Sequence, residues 1–433
     1  MLSIPTILAQ ITTIAMEYID AAMVGSLGAA ASASIGVVAS TTWLFGGIGS
    51  AVTYGFSVQI AQAIGAGDEA AAKRIFRHGM IVVIGFAALM GLLGVVLHGA
   101  LPRVLGAEES LWHDAAAYFM VFSLFMPIRQ LNFYCGASLQ ASGNTRTPGI
   151  LNMMMCFLDV FFNVFLIFPT GHFRIGAWGL PGAGLGVMGA ALGTGAAEIV
   201  SCTLMLYFAA IRSEKLKIQR DGQFRLDAHT QEKALRISIP IALEQGVLSG
   251  AMIATTGIVA PLGTVAVAAN SFGITAESFC YMPGYGLEAA ATTLVGQAVG
   301  ARRKDLVKSF SWITTALGIA IMTLTGMLMY VVCPWVFAFL TPDPAVQELG
   351  VRVLRIELFA EPLFAASIVA TGALRGIGDT LIPSIMNLVS IWGVRLTLAW
   401  FLAPHYGLVG VWIAMCVELC FRGIIFLIRL ARS

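Results

Sequence analysis

The sequence predicts an all-α polytopic membrane protein with twelve transmembrane helices in two pseudo-symmetric six-helix lobes. Three observations carry this. Of 433 residues, 58% are hydrophobic and only 11% charged, with a mean hydropathy of +0.85, whereas an ordinary soluble domain carries about 25% charged residues. Apolar runs near the roughly 20 residues that span a bilayer recur from end to end. The second half of the chain also repeats the first. A net charge of +2 leaves no basic surface for nucleic acid, and the apolar content excludes a disordered chain.

Gly, Pro and charge clusters bound the runs. The predicted spans of the first half are residues 1–24, 33–64, 78–101, 112–137, 150–170 and 185–211. Those of the second are 236–260, 266–299, 310–334, 346–374, 384–403 and 407–429. The first span lacks a basic start and carries Glu17 and Asp20, so it reads as a retained helix, not a signal peptide. Lys73, Arg74 and Arg77 separate the second span from the third, and Arg103 follows the third. Arg146 divides the fourth from the fifth, and a Gly-rich stretch near 171–184 with Arg174 divides the fifth from the sixth. Residues 212–235 form a basic linker between an N-lobe, 1–211, and a C-lobe, 236–433. Arg302, Arg303, Lys304 and Lys308 follow the eighth span, and Arg375 closes the tenth. Nineteen basic residues fall on the side of the linker and four on the other. This bias predicts a protein of the cell (inner) membrane with both termini cytoplasmic. The seven cysteines lie in apolar runs without a CxxC pair and read as reduced, buried side chains.

The halves match at an offset of 235 residues. Ser3-Ile4-Pro5 matches Ser238-Ile239-Pro240, Gln62-Ala63 matches Gln297-Ala298, and Pro127 matches Pro362. Gly143-Asn144-Thr145 with Pro148 matches Gly378-Asp379-Thr380 with Pro383. Later, Gly189 matches Gly410 at an offset of 221, which assigns 14 extra residues to the Gly-rich stretch of the first half. Six spans per half insert both repeats in the same direction. Parallel repeats suit an alternating-access transporter.

Polar residues inside spans are costly, about 2.5–3.5 kcal/mol for a charge, and so mark function. Ser3, Thr6, Gln10, Thr13, Glu17 and Asp20 recur three or four apart, one stripe along the first helix. Asp159 and Asn163 share a face of the fifth. Neighbouring carboxylates titrate as a unit and suit a proton; with Asn and Thr oxygens they also suit Na⁺. In the second half Glu244, Asn270, Glu277, Tyr281, Glu288, Glu357 and Glu361 lie within spans. Gln10, Glu244, Asn270, Glu277 and Tyr281 are candidates for a substrate cavity. Arg129 and Arg395 are candidate partners for some of the acids, and Glu198 and Glu418 are matched between halves. No Walker A, GxSxG or HExxH pattern is present. The chain therefore reads as neither an enzyme nor an ATP-driven pump.

Several segments together resemble the multidrug and toxic compound extrusion (MATE) family of the MOP flippase superfamily over almost the whole chain. They are Ile19-Asp20-Ala21-Ala22-Met23-Val24-Gly25, Gly143-Asn144-Thr145-Arg146-Thr147-Pro148, Met282-Pro283-Gly284, Leu294-Val295-Gly296-Gln297 and Ala373-Leu374-Arg375-Gly376-Ile377-Gly378-Asp379. The resemblance implies two six-helix lobes forming a V and export driven by inflow of H⁺ or Na⁺. It puts Asp20 at the coupling aspartate of the first helix and Pro5 at a helix bend. On the fifth helix the family order Asn then Asp is exchanged to Asp159 then Asn163, which keeps the face and moves the charge one turn. Thr194 matches a threonine lining the same site, so the implied cation-coupling set is Asp20, Asp159, Asn163 and Thr194, with Glu17 close by. The same four are the metal ligands if Na⁺ is the ion. Where one branch has a glutamate on helix seven, this chain has Leu248, with Glu244 one turn earlier; Asp379 matches a second-lobe acid.

The expected function is therefore a secondary antiporter exporting organic, often cationic, drugs or metabolites, with no cofactor beyond H⁺ or Na⁺. A lipid-linked oligosaccharide flippase of the same superfamily is the alternative. Expected partners are small-molecule substrates and membrane lipids, with no nucleic acid, around a monomer.

Overall fold

The computed structural model describes residues 3–171, 174–175, 178–179, 181–218 and 227–432. Arg220 and Arg225 of the linker, Gly176 of the Gly-rich run and the side chains of Ser3 and Arg174 lie outside the described residues. The first half contains α1 (Ser3–Gly25), α2 (Ala29–Gly65), α3 (Glu69–Leu97), a short α4 (Leu101–Val104), α5 (Trp112–Leu124), α6 (Met126–Ala141), α7 (Arg146–Ile167) and α8 (Gly186–Tyr207). Two-residue strands β1 (Arg174–Ile175) and β2 (Trp178–Gly179) pair antiparallel where the repeat offset put the insertion. The second half contains α9 (Ala228–Val259), α10 (Thr264–Gly300), α11 (Lys304–Leu340), α12 (Pro344–Glu357), α13 (Glu361–Ile377), α14 (Leu381–Leu388), α15 (Thr397–Tyr406) and α16 (Leu408–Arg432). Taking α5–α6, α12–α13 and α14–α15 each as one span gives the twelve predicted.

Among the described residues, nine helices are long and apolar enough to cross a membrane on their own, and ten when α5–α6 is taken as one span. The shortfall is in α10 and α12–α13, whose polar side chains dilute their apolar ones. α10 carries Asn270, Glu277 and Glu288; α12–α13 carry Glu348, Arg352, Arg355, Glu357 and Glu361.

The structure corrects two predicted outlines. Spans 112–137 and 346–374 are each broken: α5 and α6 meet at 47°, and Leu358–Ala360 interrupts α12–α13. The matched Pro127 and Pro362 are each the second residue of the following helix. A proline cannot donate to the preceding turn but fits the first turn of a new helix. The basic linker is also shorter than 212–235, because α9 begins at Ala228. Asp227 starts it: its carboxylate accepts from the His229 N–H at 3.3 Å and the Thr230 hydroxyl at 2.8 Å, which caps a helix end. The Thr230 bond holds the Asp227 carboxyl below the usual carboxylate range.

The chain forms two compact units. One comprises residues 12–64 and 68–238; the other comprises 239–433 with 1–11 and 65–67. In the first, Phe56, Phe76, Tyr134 and Leu139 form a buried cluster. Phe76 and Tyr134 stack at 5.6 Å, and the Tyr134 hydroxyl donates to the Phe76 carbonyl at 2.9 Å. In the second, Phe337, Val353, Leu354 and Trp412 form the corresponding core. Lipid supplies little hydrophobic drive between helices, so close packing of small residues carries the association. Gly189 and Gly410, matched in the repeat, show it: a Cβ at Gly189 would strike the Leu166 carbonyl, and one at Gly410 the Leu402 carbonyl. All seven cysteines are free, and five are buried.

Candidate functional site

The unit of residues 12–64 and 68–238 gathers the predicted coupling residues. The Asn163 side-chain N–H group on α7 donates to Asp20 Oδ1 on α1 at 2.8 Å and to Asp159 Oδ2, one turn back on α7, at 3.1 Å. Asp20 and Asp159 are also close enough to share a hydrogen bond. Two carboxyl groups in that contact hold a proton between them. Asp159 and Asn163 are fully buried, while Asp20 is half-buried. Thr194 on α8 lies against Asp159 and donates to the Ala190 carbonyl at 3.1 Å. Gly193 makes the approach of α8 possible, since a Cβ there would strike Asn163 Oδ1. Four oxygen-bearing residues from three helices therefore meet at one point.

A second layer stands behind them. Arg129 Nε on α6 donates to Glu198 Oε1 on α8 at 2.7 Å, and its guanidinium lies 4.4 Å from the centre of the Phe122 ring. Arg129 is within electrostatic reach of Asp159. Glu17 is exposed and outside the bridge. Pro5 falls in the first turn of an unbroken α1, where its missing N–H costs no helical bond. Gln10 is half-buried on the part of α1 that belongs to the other compact unit.

In that unit the remaining candidates are dispersed. Glu244 is buried and accepts from the Ser384 hydroxyl at 2.8 Å and the Asn387 amide at 2.6 Å. The Asn270 side chain accepts from Trp412 Nε1 at 3.0 Å. Tyr281 packs edge-on against Tyr285 and Phe364, with ring centres 5.9 and 5.6 Å away. Glu277 is buried near Glu357 and Glu361. Both oxygens of Glu357 and of Glu361 are buried without a hydrogen-bond partner. Glu418 accepts from Ser390 at 2.5 Å and pairs with Arg395 at 2.6 Å and Arg422 at 3.0 Å. Arg129 and Arg395 thus take the two acids that the repeat matched, Glu198 and Glu418. Asp379 pairs with Arg429 at 2.5 Å. Sequence reasoning missed the buried pair of Arg375 with Glu288; the Arg was read as a loop charge, and nothing in periodicity links residues 87 apart.

The MatE family model matches residues 5–165 and 240–401, two copies that begin at the repeated Pro5 and Pro240. A probable multidrug resistance protein NorM from Thermotoga maritima is 28% identical over 411 residues, covering 93% of this chain and 85% of that protein. A probable NorM from Mannheimia succiniciproducens is 26% identical, covering 99% and 92%. Among solved structures, a point mutant of the Vibrio cholerae MATE transporter VcmN superposes with a TM-score of 0.91 at 20% identity, over 100% of this chain and 95% of that one. A MOP superfamily transporter from Pyrococcus furiosus gives 0.92 at 19% identity, over 100% and 94%. At such identity the structures speak for the fold alone. The family model spans most of the chain and its two copies fall on the two repeats; this chain belongs to the MatE family, as a multi-pass membrane transporter of the MOP superfamily and not an enzyme.

Proposed function

We propose that this chain is a secondary antiporter that exports organic, often cationic, compounds by alternating access, driven by cation inflow through the site of Asp20, Asp159, Asn163 and Thr194. The observation that carries the reading is the Asp20–Asn163–Asp159 bridge. Buried carboxylates without a fixed cation are expensive in a membrane, and here two of them share one amide. A proton is the better candidate ion. An amide N–H directed at both carboxylates opposes a sodium ion, which needs oxygens on every side. The multidrug names of the relatives support the drug-export class. A flippase for a pyrophosphate-linked lipid would call for unpaired arginines in a cavity, whereas Arg129 and Arg395 are both engaged by glutamates. The topology proposed from the basic bias keeps both termini in the cytoplasm, with the protein working as a monomer in the cell membrane.

The test is efflux of a fluorescent organic cation from proteoliposomes with pH and Na⁺ gradients imposed separately. Efflux driven by a pH gradient alone, lost in Asp20→Asn and Asp159→Asn, is expected. Efflux that requires Na⁺ would turn the four residues into a metal-ion site. Full activity of both variants would remove the site from the mechanism.

A further inference from the structure

Basic residues are scarce on the membrane face where α11 ends. Of the four predicted for that face, Arg352 and Arg355 stand three apart on α12, a spacing that makes them neighbours on a helix surface. The structure explains the fixed position of one. Pro334 within α11 has no N–H, so the Tyr330 carbonyl four residues earlier lacks a helical donor. Arg355 Nε donates to that carbonyl at 3.3 Å, and its guanidinium lies 4.9 Å from the centre of the Tyr330 ring. One edge of a five-donor fork is thereby held, and the rest of the fork is presented in a set orientation. Arg352 is exposed and enters no ion pair or hydrogen bond among the described residues.

Both arginines line a cavity of about 560 Å³ whose wall also holds Glu348, Pro334 and Pro344. Nearby, Trp335 is 68% exposed, Phe339 91% and Phe359 73%. In a bilayer such side chains face acyl chains, and an arginine beside them reaches toward the headgroup layer. The cavity therefore has two cations, one anion and an apolar flank within a single wall.

We propose that this cavity binds the headgroup of a zwitterionic phospholipid carrying a primary amine. Its phosphate lies against Arg352 and Arg355, its ammonium against Glu348, and its chains along Trp335, Phe339 and Phe359. Two arginines alone would accept any phosphate-bearing lipid. Glu348 in the same wall repels a purely anionic headgroup and accepts hydrogen bonds from an ammonium; a quaternary amine has no N–H to give. Free phosphate has neither the ammonium nor the chains.

The full chain in detergent is titrated with phosphatidylethanolamine, phosphatidylglycerol and phosphatidylcholine, and bound lipid is counted by native mass spectrometry. Phosphatidylethanolamine is expected to be retained in preference to the other two. Arg352→Gln is expected to weaken that retention about tenfold, the loss of roughly one charge-assisted hydrogen bond, and Arg352→Lys to restore most of it. Glu348→Gln is expected to erase the preference over phosphatidylglycerol while phosphatidylglycerol still binds. Glu348 and Arg352 are exposed, so neither change threatens the fold. Unchanged retention in Arg352→Gln, an unchanged headgroup preference in Glu348→Gln, or displacement of the lipid by millimolar inorganic phosphate would each overturn the proposal.

Discussion

The two halves of this transporter share a repeated backbone but not a repeated polar interior. At the offset of 235, the positions matching Asp20, Asp159 and Asn163 are Thr255, Val394 and Leu398. The amide bridge therefore exists once. The second half holds more buried acids, yet most are neutralised: Glu288 by Arg375, Glu418 by Arg395 and Arg422, Asp379 by Arg429, and Glu244 by Ser384 and Asn387. Features that shape helices were kept in both copies, namely the breaking Pro127 and Pro362 and the close-packing Gly189 and Gly410. Side chains that carry charge were free to diverge. The comparison separates what makes the fold from what makes the activity.

The largest expected effect breaks the asymmetry directly. Asp159→Asn should reduce dye efflux to the level of empty liposomes while the protein still inserts and elutes as a single species. Glu244→Gln should leave a substantial fraction of activity, because hydroxyl and amide donors already satisfy that carboxylate. Equal loss in the two variants would mean that both halves couple. The next largest effect concerns the matched ion pairs. Arg129→Gln leaves Glu198 buried and unpaired and should cost about 3–5 kcal/mol of stability. Arg395→Gln should cost less, because Arg422 remains on Glu418. Thermal unfolding in one detergent reads the difference, and the reverse order would contradict the assigned partners.

Gly189→Ala and Gly410→Ala should each cost about 1–3 kcal/mol by overpacking against a carbonyl, with similar values because the repeat gives them one task. A large cost at only one of them would show that the matched glycines have separate roles. The smallest effect is expected at Glu357 and Glu361, whose oxygens lack partners. Glu357→Met and Glu361→Met should change stability by no more than about 1 kcal/mol, in the stabilising direction, since an unpaired buried polar group is replaced by an apolar one of similar length. Loss of efflux in either variant would show that these acids carry function the first half does not supply alone.

Much of this was legible in the sequence for a physical reason. Spans, repeat and orientation come from local composition, and the one-face spacing of Asp159 and Asn163 follows from helix geometry. Asp20 joined them only in three dimensions, yet its place in a polar stripe marked it as inward-facing. The pairings of the arginines were not legible as specific partners, because Arg129 and Glu198 are 69 residues apart and Arg375 and Glu288 are 87 apart. The breaks within the fourth and tenth spans were visible as prolines but not as breaks, since a proline in a long apolar run marks either a kink or the start of a helix.

Residues Val389–Leu396, between α14 and α15, are π-helical, and this stretch acts as a rotation built into one span. An ordinary helix turns by roughly 100° per residue, so a wide turn absorbing one extra residue re-aims everything after it by about that angle. The buried stripe records the step: it runs through Ser384, Asn387 and Ile391, then resumes at Leu396, Ala399 and Ala403. The interval from 391 to 396 is five residues, where an unbroken helix would use three or four. The same widening lets Ser390 and Arg395 reach one carboxylate, Glu418. Loss of a single codon from this stretch would leave composition and hydropathy almost untouched. It would nonetheless turn Ala399 and Ala403 out toward lipid and swing Trp400 or Phe401, now 65% and 58% exposed, into a space built for alanine.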